Sequence, residues 1–217
     1  MKRFIIPFSI LFIAGIFIYQ LFFTGNVTSN SQEINANDFE VNTGSSEGDS
    51  KAKINVILFS DYGCQACKIL NDDLVNMKFK ENYIDKQLVR YIFKHVPMEE
   101  HKNAYESSAA AIAAENQDRF WDMSRLLFDN ASKLGKTDDP SDLYKMLADQ
   151  IGLDKDEFND DLDHEETKEE IRKTKAEFKK LGFQGTPILI IGTKIIYGAP
   201  SAKEFKETLD SELKKVN

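Results

Sequence analysis

Apolar residues crowd the start of the chain, disappear, and then return in two different rhythms. Phe4 to Phe23 is an uninterrupted stretch without a formal charge, dense in Phe, Ile and Leu. As a helix it would be about 30 Å long, which is the thickness of a bilayer's hydrocarbon core. Lys2 and Arg3 precede it, so the excess of positive charge stays inside and the remainder of the chain is sent out. A transmembrane signal-anchor over residues 1–23 is therefore expected. A cleaved signal peptide is the competing reading, with Val27 and Ser29 as a weak small-residue cleavage site, but the run is longer than a usual signal core. No cysteine occurs before Cys64, which excludes a lipidated N-terminus. Residues 24–50 are rich in Asn, Ser, Thr, Gly and acidic side chains and show no apolar period, as expected of a flexible linker with a reach of roughly 30 Å.

Beyond the linker the first rhythm is short and nearly continuous. Lys53 to Ser60 (KINVILFS) and Leu88 to Val96 (LVRYIFKHV) are β-branched and apolar, the mark of strands buried on both faces. Between them Lys68 to Tyr83 carries Leu70, Leu74, Met77 and Phe79 at mostly helical spacing. Strand, helix, strand implies a parallel pair joined by a right-handed crossover. The second rhythm, helical, runs over residues 98–182: Ser107 to Glu115, Phe120 to Phe128, Ser141 to Ile151 and Glu165 to Leu181. Two further strands, Ile188 to Ile191 and Lys194 to Tyr197, flank the turn Gly192-Thr193, and Ser201 to Val216 reads as a last helix. The chain is thus α/β, with a βαβ half (51–97) and a ββα half (183–217) separated by an all-helical insertion.

Composition narrows the function. The formal charge is −8, or −10 once the two charges of Lys2 and Arg3 are set aside, so nucleic acid is not an expected partner. The lysines and glutamates between Glu169 and Lys180 alternate as a solvated helix face does. Only two cysteines occur, three residues apart, so a disulfide between them closes almost no loop and adds little stability.

That pair lies where chemistry is favoured. Cys64-Gln65-Ala66-Cys67 follows a buried strand and opens a helix. A sulfur at the first turn faces unpaired N–H groups and the positive end of the helix dipole, both of which favour thiolate. Cys64 is the expected exposed nucleophile, and Cys67, about a turn inward, the shielded resolving thiol. A zinc site completed by His95 and His101 is the alternative, but an H-x5-H spacing so far from the cysteines fits ordinary zinc motifs poorly. The two histidines read instead as structural or loop-ordering. Phe120, Trp121 and Met123 read as core of the insertion, or as the border of a groove beside it.

The segments FSDYGCQAC (Phe59 to Cys67), FKHVPMEEH (Phe93 to His101), FWDMSRLLF (Phe120 to Phe128) and GFQGTPILIIG (Gly182 to Gly192) together resemble the DsbA-like thioredoxin-fold family over residues 52 to 215. The resemblance implies a thioredoxin core interrupted by a helical domain. It implies a thiol-disulfide oxidoreductase that oxidises exported proteins with reduced cysteines, is reoxidised by a quinone-linked membrane oxidoreductase, and needs no metal or other cofactor. It also implies a cis bond at Thr186-Pro187 facing the cysteine pair, with Thr186 and Pro187 binding the client's extended main chain. The chain departs from the family in two respects. Its dipeptide Gln65-Ala66 is uncharged, and Leu58 stands six residues before Cys64, where many relatives bury an acid. Asp61 then either relays a proton to Cys67 or caps the turn before the helix. Nothing in Gln65-Ala66 fixes the redox potential. A disulfide reductase or isomerase of the same fold, or a non-catalytic tethered binding module, remains open beside the oxidase, which is expected to act as a monomer on the extracytoplasmic side of a cell membrane.

Overall fold

The computed structural model of the protein describes residues 39–216. The apolar run over 1–23 and residues 24–38 of the expected linker lie outside the described residues. Among those described, no helix is long and apolar enough to cross a membrane.

The continuous apolar runs become the centre of a sheet. Strand β1 (Ser45–Glu47), β2 (Ile54–Ser60), β3 (Val89–His95), β4 (Ile188–Ile191) and β5 (Lys194–Tyr197) lie in the order β1-β3-β2-β4-β5. β2 and β3 are parallel, in register from Ile54 opposite Val89 to Ser60 opposite His95. β4 runs antiparallel to both β2 and β5. Alternate residues point to opposite faces. Val56, Leu58, Tyr91, Phe93, Leu189 and Ile191 pack into one core, and Ile57, Phe59, Ile92, Ile188 and Ile190 into another. Both faces are covered, which is why the strands read as unbroken apolar runs.

Helix α1 (Gln65–Asn76) buries Cys67, Leu70 and Leu74 against the first face, at the i, i+3, i+7 spacing of a helical stripe. It stops earlier than the sequence suggested. Lys78 adopts φ 53°, which an α-helix cannot continue, and the chain resumes as a single π-helical turn over Lys80–Ile84. The break turns Phe79 inward, edge-on to Tyr91 and Phe205 with centroids 5.5 and 5.4 Å away.

Between β3 and β4 the chain forms α2 (Ala104–Glu115), α3 (Phe120–Asp129), α4 (Ala131–Leu134), α5 (Ser141–Gln150), α6 (Lys155–Leu162) and α7 (Glu165–Lys180), and after β5 it ends in α8 (Ala202–Lys215). In α2 the buried side chains Ala110, Ala111, Ala113 and Ala114 are small enough for neighbouring helices to approach closely. The short α4 and the polar α6 were not expected from the sequence. α6 buries only Phe158 and owes its start to Asp154, whose carboxylate accepts the N–H groups of Asp156 and Glu157. α7 covers the second face of the sheet, where Phe178 meets Phe59 at 5.6 Å.

Residues 39–50 are not free spacer. Phe39 is buried among Ile57, Phe59 and Phe178, and β1 pairs antiparallel with β3. Gly44, at φ +87°, lies so close to β3 that a Cβ there would fall 2.4 Å from the Phe93 carbonyl oxygen. Glutamates of the helical insertion hold this arm: Glu177 accepts the Glu40 N–H, Glu170 the Gly44 N–H, and Glu115 the Ser45 hydroxyl. Lys94, fully buried in β3, pairs with Glu177 and donates to the Glu40 carbonyl and the Thr43 hydroxyl. Over residues 39–50 the linker reading does not hold, because the arm is polar in sequence and is ordered by partners far along the chain. Phe39→Ala should lower unfolding stability by about 3 kcal/mol. A urea midpoint equal to the wild type's would show that the arm contributes nothing to the core.

Candidate active site

The pairing of β2 with β4, which sets Phe59 opposite Ile188, brings two separate stretches together. On one side the chain leaves β2 through Asp61, Tyr62 and Gly63 and enters α1 at Cys64. On the other it approaches β4 through Thr186-Pro187, whose peptide bond is cis. Cys64 Sγ lies 3.2 Å from the Thr186 carbonyl oxygen and in its thiol form donates to it. The expected quartet of Cys64, Cys67, Thr186 and Pro187 is therefore assembled at one place.

Both cysteines are thiols in this structure. Cys64 occupies the N-cap of α1 in an extended conformation, the position where a serine or aspartate oxygen usually accepts the first free N–H groups. It is less open than expected, with 8% of its surface accessible, while Cys67 has none. Their acidities diverge. The Cys67 thiol donating to Cys64 is the largest influence on Cys64 and lowers its pKa to about 5. Burial opposes this, and the Thr186 hydroxyl and the N–H groups of Cys67 and Ala66 assist. Burial pushes Cys67 far upward, and the negative neighbour at Cys64 adds to the rise. The hydroxyls of Ser60 and Thr186 act weakly the other way. The arrangement thus favours the thiolate at Cys64 and keeps the proton on Cys67.

Asp61 is fully buried, and its carboxylate is committed to the turn. Oδ1 accepts the Gly63 N–H at 2.7 Å, and Oδ2 accepts the Met98 N–H at 2.8 Å and meets His101 Nδ1 at 2.7 Å. None of its hydrogen bonds is to Cys67, so what the geometry shows is the turn-capping role. His101 is held above the ordinary histidine range: desolvation opposes the rise, and the Asp61 carboxylate, the Cys64 charge and Glu100 produce it.

His95 is elsewhere, sealed among Tyr62, Phe93 and Phe120, and burial lowers its pKa to about 3. The four-ligand arrangement weighed from the sequence is not brought together. Among the described residues no group of three or more His, Cys, Asp or Glu is placed to hold a metal ion. Phe120 and Met123 are buried, and Trp121 stacks on Tyr91 at 5.2 Å, joining the insertion to the sheet.

Sequence reasoning missed Ser60 and undervalued His101. The buried oxygens Ser60 Oγ, Tyr62 OH and Thr186 Oγ1 and both ring nitrogens of His95 have no well-formed hydrogen bond among the described residues. The Ser60 and Thr186 hydroxyls nevertheless lie near enough to Cys67 to favour its thiolate. The only signal for Ser60 was its place at the end of a buried strand, four residues before Cys64.

Comparison with known proteins agrees with this geometry. A family model described as thioredoxin matches residues 40–211. Disulfide bond formation protein D of Bacillus subtilis is 30% identical over 173 residues, covering 77% of this chain and 76% of that protein. A probable disulfide bond formation protein D of Bacillus anthracis is 27% identical over 215 residues, or 95% and 93% of the two chains. The crystal structure of oxidised BdbD from Bacillus subtilis superposes with a TM-score of 0.66 at 27% identity, covering 85% of this chain and 97% of that one. The chain belongs to the thioredoxin family and is a DsbA-like thiol-disulfide oxidoreductase.

Proposed function

We propose that the protein introduces disulfides into exported proteins, through a Cys64–Cys67 pair held outside the cell membrane by an anchor over residues 1–23. The observation that carries the oxidising direction is the contrast between a thiolate-favouring Cys64 and a Cys67 that burial keeps protonated. In the oxidised enzyme a client thiolate attacks Cys64 Sγ, the Cys64–Cys67 bond breaks, and Cys67 departs and takes up a proton. The client's second thiolate then attacks its own sulfur in the mixed disulfide, and Cys64 leaves as a thiolate. Two electrons have passed to the enzyme, and a quinone-linked membrane oxidoreductase removes them.

A lowered Cys64 pKa makes that sulfur the better leaving group and stabilises the reduced enzyme, so clients are oxidised. Thr186 serves the encounter. A disulfide has no S–H to offer, so in the oxidised enzyme the Thr186 carbonyl is open to a client N–H, as in strand-addition modes of peptide binding. The relatives named disulfide bond formation protein D support this direction.

The test is the equilibrium of the pair with glutathione as a function of pH, alongside oxidation of a reduced two-cysteine peptide. A Cys64 pKa of about 5 favours the reduced enzyme by up to about a hundredfold at pH 7 relative to an ordinary thiol. The group is an acid with a depressed pKa, so the advantage is complete above the ordinary thiol range and disappears as pH falls through about 5. A potential at the reducing end, near about −270 mV, would instead assign the protein to the reductases. Protease added to cells without an outer barrier should remove the folded part, and protection of that part would remove the proposed topology.

A further inference from the structure

Gln65 and Ala66 carry no charge, so any cation that favours the Cys64 thiolate has to come from outside the motif. The segment between β3 and α2 supplies one. His101 Nδ1 lies 2.7 Å from Asp61 Oδ2, and the same buried carboxylate holds the N–H groups of Gly63 and Met98. The Asp61 carbonyl oxygen accepts the Cys64 N–H at 3.1 Å. The histidine also packs directly on Gly63, where a Cβ would fall 2.5 Å from His101 Cβ and 3.1 Å from Cγ. One carboxylate and one glycine thus fix the imidazole beside the residue that precedes Cys64, with 30% of its side chain exposed.

We propose that His101 is the positive partner of the Cys64 thiolate, positioned by Asp61, and that reduction of the pair is coupled to proton uptake by this histidine. The proton balance follows from the reaction. A client dithiol delivers two electrons and releases two protons as its disulfide forms. One proton goes to Cys67. The other has no place on Cys64, which remains a thiolate, and goes to His101 where the imidazole is still neutral. In the oxidised enzyme Cys64 has no charge, so His101 loses one of its anionic neighbours. Asp61 and Glu100 remain as the acidic groups facing it, and desolvation opposes the charged form in both states.

The inference rests on the reading of Cys64 as the reactive thiol, though not on the direction of the reaction. The experiment measures Cys64 thiolate absorbance and the glutathione equilibrium, from below the Cys64 midpoint to above the histidine range, in the wild type, His101→Gln and His101→Lys. In His101→Gln the equilibrium should move about tenfold toward the oxidised enzyme, as expected on losing a cation near a thiolate. The difference should fade once pH exceeds the His101 titration, because the wild-type imidazole is then neutral too. His101→Lys should restore the wild-type equilibrium and hold it to higher pH. A glutamine variant that follows the wild type within about twofold throughout overturns the proposal. So does a deficit that is the same at every pH, since that marks only a disordered loop. Failure of the underlying reading would be seen separately, as an ordinary thiol titration of Cys64 in the wild type.

Discussion

Cys67→Ser should stall as a mixed disulfide through Cys64, whereas Cys64→Ser should form almost none. Two properties of the site set this inequality. Cys64 has some accessible surface and Cys67 has none, and the pKa of the first is lowered while that of the second is raised. With a pKa of about 5, Cys64 is about 99% thiolate at pH 7, against roughly 3% for a free thiol. That thirtyfold or so gain is nearly cancelled, because nucleophilicity falls with pKa at a slope of about 0.4–0.5. The advantage of Cys64 as an attacking group therefore lies below neutrality, and at neutral pH its main gain is as a leaving group. Serine at position 67 keeps a hydroxyl donor facing the thiolate but cannot resolve a mixed disulfide. A single-cysteine peptide activated as a mixed disulfide with glutathione, which has no second thiol to expel Cys64, should shift the mobility of Cys67→Ser on a non-reducing gel and leave it shifted. Cys64→Ser should react at least about a hundredfold more slowly, because a buried thiol held protonated is a poor nucleophile. Equal trapping by the two variants would remove the assigned roles.

Glu177→Ala should cost about 3–5 kcal/mol of stability, the larger of the effects expected away from the sulfurs. Lys94 is fully buried in β3, and Glu177 in α7 is its ionic partner. Burial already depresses the lysine's pKa, and Glu177 is the first of the groups that resist the fall. Without it, an ammonium would be left in the protein interior with the Glu40 carbonyl, the Thr43 hydroxyl and the face of the Phe59 ring 5.4 Å away, and no anionic hydrogen-bond partner. Lys94→Met combined with Glu177→Leu should recover much of the loss, since deleting both charges removes the desolvation cost along with the attraction. Urea unfolding of the two single variants and the double variant closes the cycle. A single variant as stable as the wild type would mean that the pair is not buried in solution.

The parts of this fold that could be read in advance are those whose own residues carry the signal. β2, β3 and β4 are buried on both faces, so their apolar runs were unambiguous, and α1 and α8 carry stripes at helical spacing. β1 carries none. Its residues are Ser, Ser and Glu, and its hydrogen bonds are made with β3 and, at Ser45, with Glu115 seventy positions away, while the residues just before it are held by Glu177 and Glu170. α6 has one fully buried apolar residue, too few to show a period, and its cap signal was lost in a run of acidic side chains. The end of α1 was misplaced because a lysine at φ 53° looks, in sequence, like any helical lysine. Similar limits applied at the site. The cysteine spacing and the Thr-Pro pair pointed to their places, but His101 was weighed with His95 because both are histidines. The structure separates them completely, one sealed among rings and the other bonded to Asp61.

β1 also changes what the protein can stick to. An unpaired strand edge is a template on which another extended chain can assemble. By lying outside β3, the three residues of β1 use up part of that row of main-chain groups on one side of the sheet. The opposite edge is β5, only four residues long, with Lys194 and Tyr197 exposed at its ends and Gly198 just beyond it bonded to the Pro187 carbonyl. Acting on unfolded, reduced chains, as proposed above, the enzyme would meet the material most prone to β-aggregation. With β1 paired along it, the far margin of the sheet is blunted against being drawn into such aggregates.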